Sequence, residues 1–449
     1  TATNFSVRFQ QLQGQLTNMQ LFRASIAHFP KQTTQFSDDI AIFKDGGLLI
    51  DKKEIKDIGD FDTIAARYPA ASVTDLTGKW ILPGLIDSHL HYPQTQSIAH
   101  YGEQLLTWLE NYTFPAEMQF ADSEHADTIA KVFLNQLLKN GTTTGFVFTT
   151  VHKSSCQALF NAASDIDMAI VAGKVCMDRN CPSQLNDCAE SAQADSASLI
   201  ETWHNKGRSR YALTPRFAPT STEAQLAALG ELAQQYSDVF IQTHLSENLD
   251  EIAWVKSLFP QADGYLDVYD KYNLVRERAV FGHGIHLTPD EWGRLGESGA
   301  TVAFCPTSNL FIGSGLFNWD RVAGPQDKGR IAIATDVGGG TNYSMLRTLD
   351  EGYKILNLQG QRMNPLTSFY QITLGNARAL SLQEKIGTLD KGTDADIVVL
   401  NANATSAMQL RMETVTTLEE ELFLLQTIGD DRAIVQTYVA GEALKAGLN

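Results

Sequence analysis

The 449 residues exceed what one typical domain needs, yet an α/β barrel alone absorbs about 250 or more of them, so one large and one small domain is the starting expectation. Apolar residues make up 43% and charged residues 19%, a composition that excludes a disordered chain and allows a sizeable buried core. A formal charge of −17 repels phosphate backbones, so no nucleic-acid partner is expected.

The five cysteines, Cys156, Cys176, Cys181, Cys188 and Cys305, are an odd number without a C-x-x-C pair. That pattern suits free thiols in a reducing compartment better than a disulfide framework. Residues 1–29 mix apolar side chains with Gln, Asn, Ser and Thr, and hold neither a secretory apolar region nor a run near ~18 apolar residues. A cytoplasmic protein without membrane attachment is expected.

From residue 15 to about 77, short apolar runs alternate with turn signals: Ile40-Ala41-Ile42-Phe43 runs into Lys44-Asp45-Gly46-Gly47, and Leu48-Leu49-Ile50 into Asp51. This pattern predicts small antiparallel strands. A long middle follows in which buried-strand runs alternate with helical stretches, as in βα repeats around a parallel sheet. Eight candidate barrel strands can be counted: 80–91, 143–149, 168–176, 210–216, 239–244, 279–283, 301–305 and 331–336. Helical candidates between them include 126–138, 222–236 and 288–295. Strands return at 396–400 and 434–439. The fold class is therefore α/β, a (β/α)₈ TIM barrel with strand-rich ends. Catalytic groups of such a barrel stand where the strands end and the βα loops begin.

The first such place is Ile86-Asp87-Ser88-His89-Leu90-His91, where two histidines close an apolar run. Side chains at i and i+2 on a strand share a face, so His89 and His91 can both ligate one divalent metal. A third histidine, His244, closes the run from Val239, and Glu247 three residues later is placed to move a proton between water and a leaving group. His283 ends the run that starts at Ala279. His286, just beyond it, reads as structural or functional alike. Asp336 ends the last run and is placed to ligate the metal or to hold the attacking water. Gly338, Gly339 and Gly340 after it lack the Lys and Ser/Thr of a phosphate-binding loop and read as a tight loop. Half of the ten histidines thus fall at or beside predicted strand ends, while His28, His100, His125, His152 and His204 lack that context.

These residues resemble the pattern of the amidohydrolase superfamily: Pro83-Gly84-Leu85-Ile86-Asp87-Ser88-His89-Leu90-His91, then His244, His283 and Asp336. The narrower likeness is to the guanine-deaminating branch. It runs through His91-Tyr92-Pro93-Gln94, the stretch from Leu105 through Trp108, Tyr112 and Pro115 to Glu117, Thr214-Pro215-Arg216-Phe217-Ala218-Pro219 and Thr243-His244-Leu245-Ser246-Glu247-Asn248. It continues in Phe304-Cys305-Pro306-Thr307-Ser308-Asn309-Leu310 and Gly313-Ser314-Gly315-Leu316-Phe317.

The resemblance implies a barrel at 81–384 and a small β-sandwich domain built from both termini, 1–80 and 385–449. It implies one zinc bound by His89, His91, His244 and Asp336, with His283 hydrogen-bonding the zinc's water or completing the shell, and Glu247 as proton shuttle. Gln94, Arg216 and Phe217 would recognise a purine base, and Trp108 would be a further pocket wall or a core residue. A homodimer acting on free guanine, a small molecule, is what the family likeness implies. No lysine is expected to end the 168–176 or 210–216 strands, where a carboxylated lysine would bridge two metals, so one metal is expected.

Overall fold

The computed structural model describes residues 19–33, 39–101, 104–321 and 330–445. The start of the first strand-rich stretch, residues 15–18, lies outside the described residues. Strands β1 (Met19–His28), β2 (Ala41–Asp51), β3 (Glu54–Asp60) and β4 (Ser72–Pro83) come first. The middle of the chain supplies β5 (Leu85–His91), β6 (Thr142–Phe148), β7 (Ala169–Gly173), β8 (Val175–Cys176), β9 (Ser209–Pro215), β10 (Phe240–Leu245), β11 (Ala279–His283), β12 (Thr301–Phe304) and β13 (Arg330–Ile333). The chain closes with β14 (Ile397–Leu400), β15 (Ile434–Val439) and β16 (Glu442–Ala443).

Strands β5 to β13 pair in parallel in chain order, with β8 a short continuation of β7 beside β9, and form a nearly closed eight-stranded barrel. Ile86, Phe146, Val171, Ala212, Phe240, Val280 and Ala303, one from each of seven strands, join Ala334 in an apolar interior cluster, as a packed barrel requires. The seam between β5 and β13 has no ladder among the described residues. Asn376 fills it, donating its amide to the Ile86 and Ile333 carbonyls at 2.7 and 2.8 Å and accepting from the Ile333 N–H at 2.9 Å.

The flanking helices follow the expected apolar spacing. Ser123–Lys139 buries Ala126, Ile129, Ala130, Phe133, Leu134, Leu137 and Leu138, one stripe at i, i+3 and i+4 spacing, and Asp122 caps it by accepting from the Glu124 N–H. Thr222 and Thr288 cap the helices Glu223–Gln235 and Pro289–Ser298 in the same way. Among the described residues no helix is long and apolar enough to cross a membrane.

The second sheet joins both ends of the chain in the order β16-β15-β14-β4-β1-β2-β3. It curls on itself: Phe22 on β1 meets Tyr438 on β15, three strands away, with ring centroids 5.0 Å apart, over a core that includes Ile26, Ile50, Ile81, Ile397 and Val399. The strands at this end are not all antiparallel as expected. β1 and β4 run parallel because the helix Phe61–Arg67 carries the chain across between β3 and β4. The expected turn at Lys44–Gly47 is read through by β2, where Gly46 packs against Ile26.

The run 80–91 is divided. Trp80–Pro83 belongs to β4 of the small sheet, and the barrel begins after Gly84, whose N–H donates to Asp396 O at 2.9 Å and where a Cβ would stand 2.1 Å from Thr143 Oγ1. The run 168–176 is likewise interrupted, at Lys174.

Candidate active site

The histidines reach the barrel mouth by three local devices. In β5 the pairing register shifts between Asp87 and Leu90, so Ile86 faces the interior while Leu90 faces the outer core. After that bulge it is His89 and His91 that turn inward. In β10 regular alternation carries Phe240, Gln242 and His244 on one face. In β11 alternation would send His283 outward with Phe281, but His283 has φ +72°, and Asp336 after β13 has φ +52°. Both side chains are held in a left-handed backbone conformation that costs about 1–3 kcal/mol per residue. Gly282 makes room for the cluster, since a Cβ there would stand 2.6 Å from the His89 ring.

His89, His91 and His244 bring one ligand atom each within 4.8 Å of one another, and so do His89, His283, Cys305 and Asp336. His91 Nε2 stands 3.2 Å from His244 Nε2 and 3.3 Å from Asp336 Oδ1, and His89 Nε2 is 3.4 Å from the same oxygen. Two nitrogens bound tetrahedrally to one zinc at ~2.0–2.1 Å would be about 3.3 Å apart. Both ring nitrogens of His89 are buried without a hydrogen-bond partner, and so is His91 Nδ1. His244 donates Nδ1–H to the Arg216 carbonyl at 2.6 Å, which leaves its Nε2 lone pair facing the cluster.

Electrostatics match this donor set. Burial pushes the His91 imidazole down to about 4 and His244 well below its ordinary value, so both are neutral and able to ligate. Burial would raise the Asp336 carboxyl, but the His89 and His91 rings standing against it hold it well below the usual carboxylate range. Three imidazoles and a carboxylate at these distances therefore fit one divalent cation. Cys305 joins the second group without having been expected there. Burial pushes its thiol well above the ordinary value, and Sγ contacts the Ala303 carbonyl at 3.4 Å, so it stands as a neutral thiol.

Above the cluster lies a cavity. His91, His244, His283, Glu247 and Asp336 form one end, Gln94 and Arg216 a polar wall, and Leu105, Trp108, Leu109, Phe217 and Ile312 the apolar sides. His91, Gln94, Trp108, Arg216, Phe217, His244, Glu247, His283 and Asp336 thus line one cavity, and His89 stands against them in the ligand cluster. Trp108 fills both parts left open for it, packing in the apolar cluster with Phe217 while lining the cavity, and its indole N–H is buried without a partner. Gly339 also lines the cavity, where a side chain would run into Ser308 and Asp336. His286 stays off the cavity lining.

Residues 80–444 match the family model for the amidohydrolase family. The chain belongs to the amidohydrolase family. It is therefore a hydrolase of that family, and it is 48% identical to guanine deaminase of Escherichia coli over 91% of this chain and 92% of that protein. The solved E. coli guanine deaminase superimposes with a TM-score of 0.92 over 95% of this chain and 99% of that one, at 46% identity. A guanine deaminase from C. acetobutylicum with guanine bound in its active site, 28% identical, superimposes with a TM-score of 0.86 over 95% of this chain and all of that chain (100%).

In this amidohydrolase a further set of residues, quoted from the sequence only as part of longer matching stretches or not at all, supports the site. Asn309 Oδ1 accepts from His283 Nδ1 at 2.9 Å, which turns His283 Nε2 toward Glu247 Oε2 at 3.3 Å. Ser314 Oγ donates to Glu247 Oε1 at 3.0 Å. Glu251 accepts from the backbone N–H groups of Glu247 and Asn248 at 2.9 and 3.1 Å and is anchored by the Tyr265 hydroxyl at 2.7 Å. Glu117 accepts from Arg216 and Gln94. Their only signal in the sequence is a polar residue within an apolar or loop stretch, which does not say what it will touch.

One expectation is corrected. A lysine does stand at a strand end, because the break after Gly173 places Lys174 directly behind β7. Its Nζ is buried against Asp187 Oδ2 at 2.5 Å and the Val175 carbonyl at 3.3 Å, and it does not line the cavity.

Proposed function

We propose that the chain hydrolyses guanine to xanthine and ammonia, with one zinc held by His89, His91, His244 and Asp336. The observation that carries this reading is the union of the histidine cluster with Glu247 at one end of a cavity and Arg216 and Gln94 along its wall. Similarity to guanine deaminases over nearly the whole chain supports the choice of base.

A zinc bound there acidifies water toward a pKa of ~7 and so supplies a nucleophile at neutral pH. The protein's own groups do the rest. Arg216 and Gln94 orient the base by hydrogen bonds to its polar edges, Phe217 packs on its face, and the unpartnered Trp108 N–H offers another donor. Glu247, buried at the end of the cavity beside His283 and Asp336, accepts the proton of the attacking water and delivers it to ring N3 beside C2. It then takes the remaining proton from the hydroxyl on C2 and passes it to the amine as the C2–N bond breaks and C2=O forms, so that guanine and water become xanthine and ammonia. His283, with Nδ1 bound to Asn309, keeps Nε2 free to accept from that water or to complete the metal's shell.

The division into a catalytic unit at 81–384 between 1–80 and 385–449 is part of the proposal, supported by the sheet that takes strands from both ends. So is a cytoplasmic homodimer serving purine breakdown: five unpaired cysteines suit a reducing compartment, and light scattering tests the dimer.

The direct test follows ultraviolet absorbance of guanine with metal-analysed wild type and Glu247→Gln. Conversion to xanthine by wild type alone, with one equivalent of zinc in both, is expected. No conversion by zinc-loaded wild type would turn the assignment to another amino-heterocycle.

A further inference from the structure

Glu117 is fully buried beside the cavity, yet it is not among the residues that line it. A widened turn of helix at Leu109–Thr113 puts it there: Leu105, Trp108 and Leu109 face inward before the turn, and Thr113, Phe114 and Glu117 face inward after it. Both Glu117 oxygens accept from Arg216 Nη1, at 2.8 and 2.7 Å, and Oε1 also accepts from Gln94 Nε2 at 3.3 Å. Gln94 Oε1 in turn accepts from the Gly338 N–H at 3.2 Å. Arg216 Nε and Nη2 make no hydrogen bond among the described residues, so the guanidinium keeps donors for a ligand while its charge is balanced from behind.

Burying such a pair is expensive, and well-packed apolar residues often serve stability as well. What an apolar pair would not supply is a strong hydrogen-bond donor without net charge. We infer that Glu117 is a specificity-determining positioning residue that makes the recognition wall neutral, so the cavity takes an uncharged purine and disfavours a purine anion. The inference rests on the proposed guanine reaction and deepens it. Exchanging the amine on C2 for a carbonyl makes the product a stronger acid, because the charge left by losing a ring N–H spreads over a further oxygen. The product's anion then meets a wall that gives it no compensating charge, which favours its release over that of the neutral substrate.

The test measures xanthine affinity for zinc-loaded wild type, Glu117→Gln and Glu117→Asp at pH values below and above xanthine's ionisation, by competition with guanine and by direct titration of intrinsic fluorescence. In wild type and Glu117→Asp, affinity should fall as xanthine ionises. In Glu117→Gln, where Arg216 is left unbalanced, affinity at the higher pH should exceed that of wild type by on the order of tenfold or more. A structural role alone would shift stability or KM without changing how affinity depends on xanthine's charge. The same pH dependence in Glu117→Gln and wild type would overturn the inference, and so would wild type binding the anion as tightly as neutral xanthine. That last measurement needs no variant to fold. Absence of guanine turnover would remove the reaction reading, while the titration of xanthine would still decide the role of Glu117.

Discussion

Ser314 and His286 act on Glu247 in series. His286 donates Nε2–H to the Ser314 carbonyl at 2.8 Å, and the Ser314 hydroxyl holds Glu247 Oε1, leaving Oε2 toward His283. A hydrogen bond to a charged group is worth about 1.5–3 kcal/mol, so Ser314→Ala should lower kcat about ten- to a hundredfold with KM and zinc content unchanged, and Ser314→Thr should recover most of it. Steady-state kinetics check this, and a change confined to KM would move the hydroxyl into substrate binding. Arg216 separates two functions in one residue: its side chain faces the cavity while its backbone carbonyl orients His244. Arg216→Ala should therefore weaken guanine binding and keep the zinc, and loss of zinc would sink that separation. The same variant strands Glu117 in the interior and should cost about 3–5 kcal/mol of stability in urea unfolding. His89, His91, His244, His283, Glu247 and Asp336 were legible as residues because polar groups at the ends of apolar runs are conspicuous. Asn309, Ser314 and Glu117 were not, because their roles depend on partners 26, 67 and 99 positions away.

At the scale of elements, β1 is fastened to the distant end of the chain by His28. Its Nδ1 meets Thr388 Oγ1 at 3.0 Å and accepts from the Leu389 N–H at 3.3 Å. Burial pushes this imidazole down to about 4, from an ordinary value of 6.5. The folded protein thus keeps His28 neutral while the unfolded chain binds a proton below 6.5, so the stabilisation is present above that pH and lost as pH falls toward 4. The full loss amounts to about 3 kcal/mol. His28→Asn, which keeps an acceptor, should flatten the fall in melting temperature between about pH 7 and about pH 5. An unchanged slope would show that other groups set it. Element type was legible where periodicity was strong, as in the helix Ser123–Lys139. Limits were not legible at Gly84 and Lys174, because an apolar run reads the same whether it serves one sheet or two.

Across the whole molecule, barrel and small sheet are tied at Arg208, immediately before β9. Its guanidinium pairs with both oxygens of Asp396, with Asp394 Oδ2 at 3.0 Å and with the Asp167 carbonyl at 2.9 Å, while Asp396 also accepts from the Ala440 N–H at 2.9 Å. Arg208→Met leaves two carboxylates without their shared cation and should cost about 3–5 kcal/mol. Arg208→Lys should recover only part, since an ammonium cannot reproduce the planar fork. Urea unfolding followed by tryptophan fluorescence checks both, and an unchanged midpoint for Arg208→Met would show that the tie adds nothing to stability.

Apolar periodicity and residue type are local properties, so the alternation of strands and helices, the barrel class and the polar residues that end its strands were readable from the chain alone. Which face each of those side chains takes was set only on folding, through the bulge in β5 and the left-handed backbone at His283 and Asp336. The tertiary structure also decided that β1 and β4 run parallel, and that a buried carboxylate stands behind Arg216. These last depend on which distant segments meet, and burial energy, summed over the whole chain, selects those meetings.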